Sequence, residues 1–315
     1  MPKPWSTADI PSQHGLIALV TGGNSGIGWH TVLELARAGA QVVLTARSAA
    51  DGEGAVARVL AQLPAARVRY VLLDLAQLAS VRQLAEQVAQ WPRLDLLVNN
   101  AGVMRIPTQR LSADGFERQW ATNVVGPFAL TLGVLPALCR APRPRVTTVS
   151  SILAAHGTRR VDVAGVRGAS HYSPHAAYCQ SKLANLLFMT ELARRSQAEG
   201  LALVSNASHP GWAMTRLHTA GPERAMGLGQ RLAARVLAQS AAQGALPSLR
   251  ALTEAGSQGG DYFGPAGPWQ LKGAPVKLAL PAPARNPAAA EQLWALAEQW
   301  VGIRFSEQLA ATRQN

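Results

Sequence analysis

The chain has 315 residues, 48% of them hydrophobic and 15% charged, with a formal net charge of +12. That length and apolar content suit one large α/β domain, and no apolar run nears the roughly 20 residues of a membrane span. The lysines and arginines are scattered, with no run of five, no aromatic-basic recognition motif and no zinc spacing, so the charge reads as a solvated basic surface that attracts anionic small molecules, and nucleic acid is not an expected partner.

The N-terminal stretch MPKPWSTADIPSQHG has no apolar core followed by a cleavage site, and Cys139 and Cys179 form neither a disulfide framework nor a metal pair. A cytoplasmic location is the expectation. Apolar strand-like runs then alternate with helical stretches. The runs are 16–21, 41–46, 68–75, 94–100, 145–151 and 201–207. Between them lie helical patterns through WHTVLELARAG, GEGAVARVLAQL, ASVRQLAEQVAQW, a long region reaching Cys139, and the segment around Tyr178. Runs this uniformly apolar predict strands buried on both faces, hence a doubly wound, mainly parallel sheet with helices on both sides.

Two stretches break the rhythm. Residues 152–174 read as an inserted loop. Residues 256–288, rich in Gly and Pro, carry a short strand at DYFG. A last helix is expected from Asn286 as N-cap and Pro287 at the first helical position, with Leu293, Leu296, Ala297, Trp300 and Val301 on its packed face. No repeat or interdomain linker is evident, so 1–315 reads as one domain. Its cofactor half covers about 15–150 and its catalytic and substrate half about 151–305.

The sequence TGGNSGIG, 21–28, falls between the first strand and the first helix. Gly22, Gly26 and Gly28 there permit a sharp turn, close approach of a pyrophosphate and tight helix–strand packing. With Asn24, Ser25 and Ile27 they place phosphates at a helix N-terminus, where free N–H groups meet them. The second strand ends Ala46-Arg47. An acid at that point would bind a ribose 2′-hydroxyl, whereas a guanidinium suits a 2′-phosphate. NADP(H) is therefore favoured, with NAD(H) as the other option, and a surface capping role for Arg47 stays open. The glycine loop itself contains no basic residue.

Tyr178 and Lys182 stand one helical turn apart and share a face. That spacing alone is equally that of two surface residues. Together with TGxxxGIG, NNAG at 99–102, Ser151 after a strand, and HPGWAMT at 209–215, it resembles the short-chain dehydrogenase/reductase family over about 15–215. Within it, NNAGVM, DGFERQWATNVVGPFALT, AYCQSKLANLLF and YFGPAG are similar to the retinol dehydrogenases and their bacterial relatives.

The resemblance implies a Rossmann fold and hydride transfer between a nicotinamide and a carbonyl or alcohol carbon, on a largely apolar small molecule. Tyr178 would be the acid/base. Lys182, by its charge, would ease ionisation of the phenol and bind the nicotinamide ribose. Ser151 would hold the substrate oxygen, with Ser150 as its rival, and Asn123 would complete a tetrad. Asp74 and Leu75 would flank the adenine. Asn99, Ala101 and Gly102 would line the cofactor cleft, Asn99 having an equally good purely structural reading. Pro210, Gly211 and Thr215 would lie beside the nicotinamide.

Residues 216–255 would cover the substrate, although Met226, Leu228, Leu232 and Val236 read equally well as core, as does Trp212. No metal is expected, since His156, His171, His175 and His218 lack a ligand spacing. Family members often pair as homodimers or homotetramers through the helices here containing Asn123 and Tyr178, but the 152–174 insertion precedes one of them, and a blocked interface is the other option. Other readings of the same layout are a C=C reductase of the protochlorophyllide-reductase type and a non-catalytic dinucleotide sensor.

Overall fold

A computed structural model describes residues 3–158, 162–168, 171–213 and 238–313. Its frame is one eight-stranded sheet in the order β3-β2-β1-β4-β5-β6-β7-β8. The strands are β1 Ile17–Val20, β2 Gln41–Ala46, β3 Val68–Leu72, β4 Leu96–Asn99, β5 Arg145–Val149, β6 Val204–Ser208, β7 Tyr262–Pro265 and β8 Pro275–Leu278. The pairings from β3 through to β7 are all parallel, and β8 closes the edge antiparallel to β7.

Helices cover both faces, as the alternating run of apolar strands requires. On one side lie α1 Gly26–Arg37, α2 Ala49–Leu60 and, near the C-terminus, α9 Ala241–Thr253. On the other lie α3 Leu78–Ala89, the pieces α4 Arg118–Trp120, α5 Gly126–Gly133 and α6 Leu135–Cys139, then α8 Pro174–Ala198, α10 Pro287–Val301 and α11 Phe305–Arg313. The short α7 Val163–Val166 sits in the inserted segment. In β1, Leu19 joins the second core while Ala18 and Val20 join the first, the two-residue alternation of a strand buried on both faces.

Three expectations are refined. The edge strand β3 is only half buried, with Leu72 55% exposed, because nothing pairs beyond it. The strand β8 went unnoticed in the Gly/Pro-rich stretch, where PVKL between prolines is too short to show a period. The run 241–253, expected to belong to the substrate cover, is α9. Its Ala245, Leu249 and Leu252 are fully buried in the core shared with α1. Met226, Leu228, Leu232, Val236 and His218 lie outside the described residues.

The inserted segment is tied down where it is described. Asp162 caps α7, and Glu117 N–H donates to Val166 O at 2.8 Å. The Tyr172 hydroxyl donates to Ile106 O at 2.8 Å and accepts from Gln119 Nε2 at 3.0 Å. The last long helix begins as expected, with Asn286 Oδ1 accepting from Ala288 and Ala289 N–H and Pro287 first in the helix. Leu293, Ala297 and Val301 are buried, while Leu296 and Trp300 are half-buried.

Its main anchor is Trp294, 1% exposed. The indole meets Phe128 of α5 at 5.0 Å between centroids and stacks on Phe188 of α8 at 5.9 Å. Phe305 closes a third side at 5.8 Å. The aromatic face formed by α5 and α8 is thus covered by the chain's own C-terminal helix.

The indole N–H of Trp294 has no hydrogen-bond partner, so its contribution is packing. Trp294→Ala is expected to lower the unfolding free energy by about 3–5 kcal/mol in urea denaturation, and Trp294→Phe by less than half of that. A Phe variant as damaged as the Ala variant would argue for a polar role.

Candidate active site

The chain turns in opposite directions on leaving β1: β2 lies on one side and β4 on the other. The loops at the carboxyl ends of these strands therefore part and leave a cleft at this switch point. The glycine turn fills the first of them. Gly22 has φ +62°, and a Cβ on Gly28 would stand 2.3 Å from Gly22 O and 2.4 Å from Asn100 Nδ2. Helix α1 starts at Gly26, so its free N–H groups face the cleft mouth.

Two residues from β1 and β4 hold this turn. Asn100 Nδ2 donates to Thr21 O at 2.8 Å, and the Thr21 hydroxyl accepts from the N–H groups of Asn100 and Ala101, each at 3.0 Å. Thr45 of β2 adds a third hold, accepting from Gly22 N–H at 3.1 Å. Sequence reasoning singled out Asn99, but the asparagine that reaches the turn is Asn100. Asn99 instead points to the helix layer, where its Nδ2 donates to Thr131 Oγ1 of α5 at 2.9 Å. Adjacent asparagines on a strand end point to opposite sides, and only the register distinguishes them.

A cleft of about 360 Å³ runs from the end of β2 past this turn to α8. Gly22, Asn24, Ser25, Gly26, Ile27 and Gly28 line it, as expected. At the β2 and β3 ends the lining is Arg47, Asp74 and Leu75, joined by Asp51, which was not anticipated. Ala101, Gly102 and Pro210 line its middle, and Tyr178 and Lys182 its far end. Thr122, Val103 and Arg118 also face it, and Arg118 pairs with Asp74 at 3.8 Å. Ser150 lines the far end too, whereas Gly211, Asn123, Ser151 and Asn99 are not among the lining residues. Thr215 lies outside the described residues.

At the far end the side chains interlock. Asn123 sits in a π-turn, Ala121–Val125, between α4 and α5. Its Oδ1 accepts from Val103 N–H at 2.8 Å, and its Nδ2 donates to Val103 O at 2.9 Å and to Ser181 Oγ at 3.0 Å. Lys182 Nζ donates to Val149 O at 2.9 Å, and both Nζ and Asn123 Oδ1 come within 3.5 Å of where a Cβ on Gly102 would be.

Ser151 caps the turn 152–156, accepting from Leu153 N–H at 3.2 Å, and its hydroxyl favours ionisation of the Tyr178 phenol. Ser150 is otherwise engaged. It is buried, and its hydroxyl donates to Lys182 O at 2.7 Å. Ser150 thus lines the cleft with its proton committed to α8, while Ser151 is the serine that acts on the Tyr178 hydroxyl.

Burial dominates the electrostatics here. It pushes the Tyr178 hydroxyl up to about 12, with the Ser151 hydrogen bond and, more weakly, Arg105 pulling the other way. It pulls the Lys182 ammonium down to about 8. The ammonium stands 5.8 Å from the Tyr178 ring centroid and does not offset burial of the hydroxyl. Arg105 reaches the first turn of α8, with Nη2 3.4 Å from His175 Nδ1, and His175 Nε2 lies 3.5 Å from Cys179 Sγ. His156, His171 and His175 are exposed, and no group of three metal-ligand side chains occurs among the described residues.

A parallel sheet opened at its switch point, with a glycine turn feeding a helix N-terminus, defines a dinucleotide-binding protein. The family described as short chain dehydrogenase matches residues 16–224. The chain belongs to the short-chain dehydrogenase/reductase family, in its retinol dehydrogenase-like group.

Polyprenol dehydrogenase of Mus musculus is 43% identical over 215 residues, which are 66% of this chain and 63% of that protein. The match thus spans somewhat under two thirds of that relative's length. Retinol dehydrogenase 12 of Homo sapiens is 35% identical over 295 residues, covering 92% of this chain and 88% of that one. Among solved structures, an uncharacterized protein from Mycobacterium paratuberculosis is similar with a TM-score of 0.79 and 37% identity, over 96% of this chain and 99% of that chain. No helix among the described residues is long and apolar enough to cross a membrane.

A lysine with a native value near 8 against 10.5 in the unfolded chain binds its proton less well when folded. Between those values the unfolded state holds more protons, so this group makes stability rise with pH from about 8 to 10.5. Lys182→Met removes the buried charge, and Val149 O keeps Asn185 Nδ2 at 3.2 Å. The variant is expected to gain roughly 2–3 kcal/mol at neutral pH without cofactor, and to lose that part of the pH slope. Denaturation curves across pH measure both, and an unchanged slope would refute the buried-charge account.

Proposed function

We propose that the protein is an NADP(H)-preferring reductase of ketones or aldehydes, or a dehydrogenase of the matching alcohols, working through Ser151, Tyr178, Lys182 and Asn123. The single observation that carries this is that Tyr178 and Lys182, one helical turn apart on α8, both line the far end of the dinucleotide cleft. When bound, the nicotinamide supplies or accepts the hydride. The glycine turn would hold the pyrophosphate, Asp74 and Leu75 the adenine, and Pro210 and Gly211 the nicotinamide side. Ala101 and Gly102 would let the cofactor pass close to the backbone.

In reduction, the Tyr178 O–H donates its proton to the substrate oxygen as charge develops there, and in oxidation the phenolate takes the proton back. Ser151 donates to the same oxygen and keeps it against Tyr178. Lys182 presents a positive charge where the phenolate forms. Asn123 fixes the carbonyl and N–H of Val103, and through Ser181 it braces the helix that bears both residues. The apolar relatives' names, polyprenol and retinol dehydrogenase, support a largely apolar carbonyl or alcohol substrate.

NADP(H) preference rests on Arg47, an exposed guanidinium lining the cleft with no ion-pair partner among the described residues. A second reading, NAD(H), is favoured by Asp51. This carboxylate lines the same end of the cleft and accepts from Ser48 Oγ at 2.7 Å.

Tyr178→Phe is expected to cut turnover of an aldehyde or cyclic ketone by about 10²–10⁴-fold while NADPH still binds. Wild-type turnover in that variant, read from NADPH absorbance, would sink the mechanism. Arg47→Ala is expected to weaken NADPH binding by about 10–100-fold and NADH binding little. Equal losses in fluorescence titrations of the two cofactors would favour NAD(H) and the Asp51 reading.

A further inference from the structure

The glycine turn carries no basic residue of its own, yet the structure brings one to it from a distant helix. Arg58, in the last turn of α2, donates from Nη2 to Asn24 O at 2.7 Å, across 34 positions of chain. Its guanidinium lies 5.4 Å from the centroid of the Trp29 ring. Trp29 is itself fixed to α2, its indole N–H donating to Ala55 O at 3.2 Å. This placement is built: α1 supplies the aromatic platform, α2 supplies the cation, and a carbonyl of the turn orients it.

Beside it is a second cavity of about 250 Å³, lined by Ser25, Gly26, Trp29, His30 and Arg58. Ser25 and Gly26 also line the main cleft, whose β2 end carries Arg47. Ser25 and Gly26 thus belong to both cavities, one lined by Arg47 and the other by Arg58. Asn24 O uses one of the five guanidinium N–H groups of Arg58, and the remainder are available to an anion. His30 is kept neutral by burial and neither repels nor competes. Two carboxylates line the Arg47 end, Asp51 and Asp74, and Asp74 is paired with Arg118 at 3.8 Å, so Asp51 would offset a single arginine there, whereas two leave a net positive charge.

We propose that Arg58 is the second cation of the 2′-phosphate site, acting with Arg47 across Ser25 to make the cleft selective for a phosphorylated dinucleotide. This rests on the NADP(H) reading above and adds to it a residue that the glycine motif does not contain.

The alternative is a brace that only holds the turn through Asn24. A brace would serve both cofactors alike; a phosphate ligand serves one. The test is fluorescence titration of NADPH and NADH against wild type, Arg58→Gln and Arg58→Lys, with adenosine 2′,5′-bisphosphate and ADP as competing fragments. The expected result is a Kd for NADPH and for the bisphosphate raised at least about tenfold in Arg58→Gln, with NADH and ADP within about twofold of wild type, and partial recovery in Arg58→Lys. Equal weakening for both cofactors, or no change for either, overturns the role of Arg58 while leaving the Arg47 reading standing. A wild-type enzyme that binds NADH as well as NADPH overturns both.

Discussion

The stitch between Thr21 and Asn100 is the constraint on which the site depends. Strands β1 and β4 are neighbours, yet their following loops diverge, and without a tie the glycine turn would be a mobile loop over a gap. Asn100 Nδ2 grips the carbonyl of Thr21, and the threonine hydroxyl accepts from two backbone N–H groups on the far side. Each bond is worth only about 1 kcal/mol net, but an unmet buried donor there would cost more. The tie sets the position of Gly22, and the start of α1 follows from it. A pyrophosphate site needs fixed N–H groups, and this is what fixes them.

The other end of the cleft is organised around a buried cation that no carboxylate neutralises. Lys182 is 4% exposed and is met by a backbone carbonyl. Burial pulls its proton affinity down, which is a cost to the free protein. Such a residue is poorly explained by stability and well explained by a site that needs a cation of movable protonation state beside a phenol. The same burial that weakens Lys182 raises Tyr178. The two shifts oppose ionisation of either group alone, so the chemistry proposed here waits for a bound partner in the cleft.

Much of this was legible in the sequence because it is local. Strand β2 was read to its residue limits, since QVVLTA has the apolar centre Val42-Val43-Leu44 and is flanked by Gly/Ala and Arg/Ser. The N-cap Asn286 and Pro287 announced α10 by short-range chemistry alone. Other features are set by long-range geometry. Whether Asn99 or Asn100 faces the glycine turn depends on strand register, which two adjacent identical residues cannot reveal. The contribution of Arg58 depends on how α1 and α2 pack, 34 positions apart. Trp294 was missed because the chosen apolar stripe of α10 passed beside it. Its burial comes from two phenylalanines on other helices. The engagement of Ser150 was hidden for a similar reason: its hydroxyl donates to a helix carbonyl 32 positions away.

The aromatic lid formed by Trp294 has a consequence for how the fold is completed. Phe128 and Phe188 would present a greasy surface on α5 and α8 if α10 were removed, and such a surface is what a second molecule could cover. In this chain the cover is tethered to the body by its own backbone. Protection of that face is therefore an intramolecular closure whose cost depends on loop length, and dilution does not weaken it. The helix acts as a built-in partner, present at one copy per domain whatever the cellular abundance of the protein.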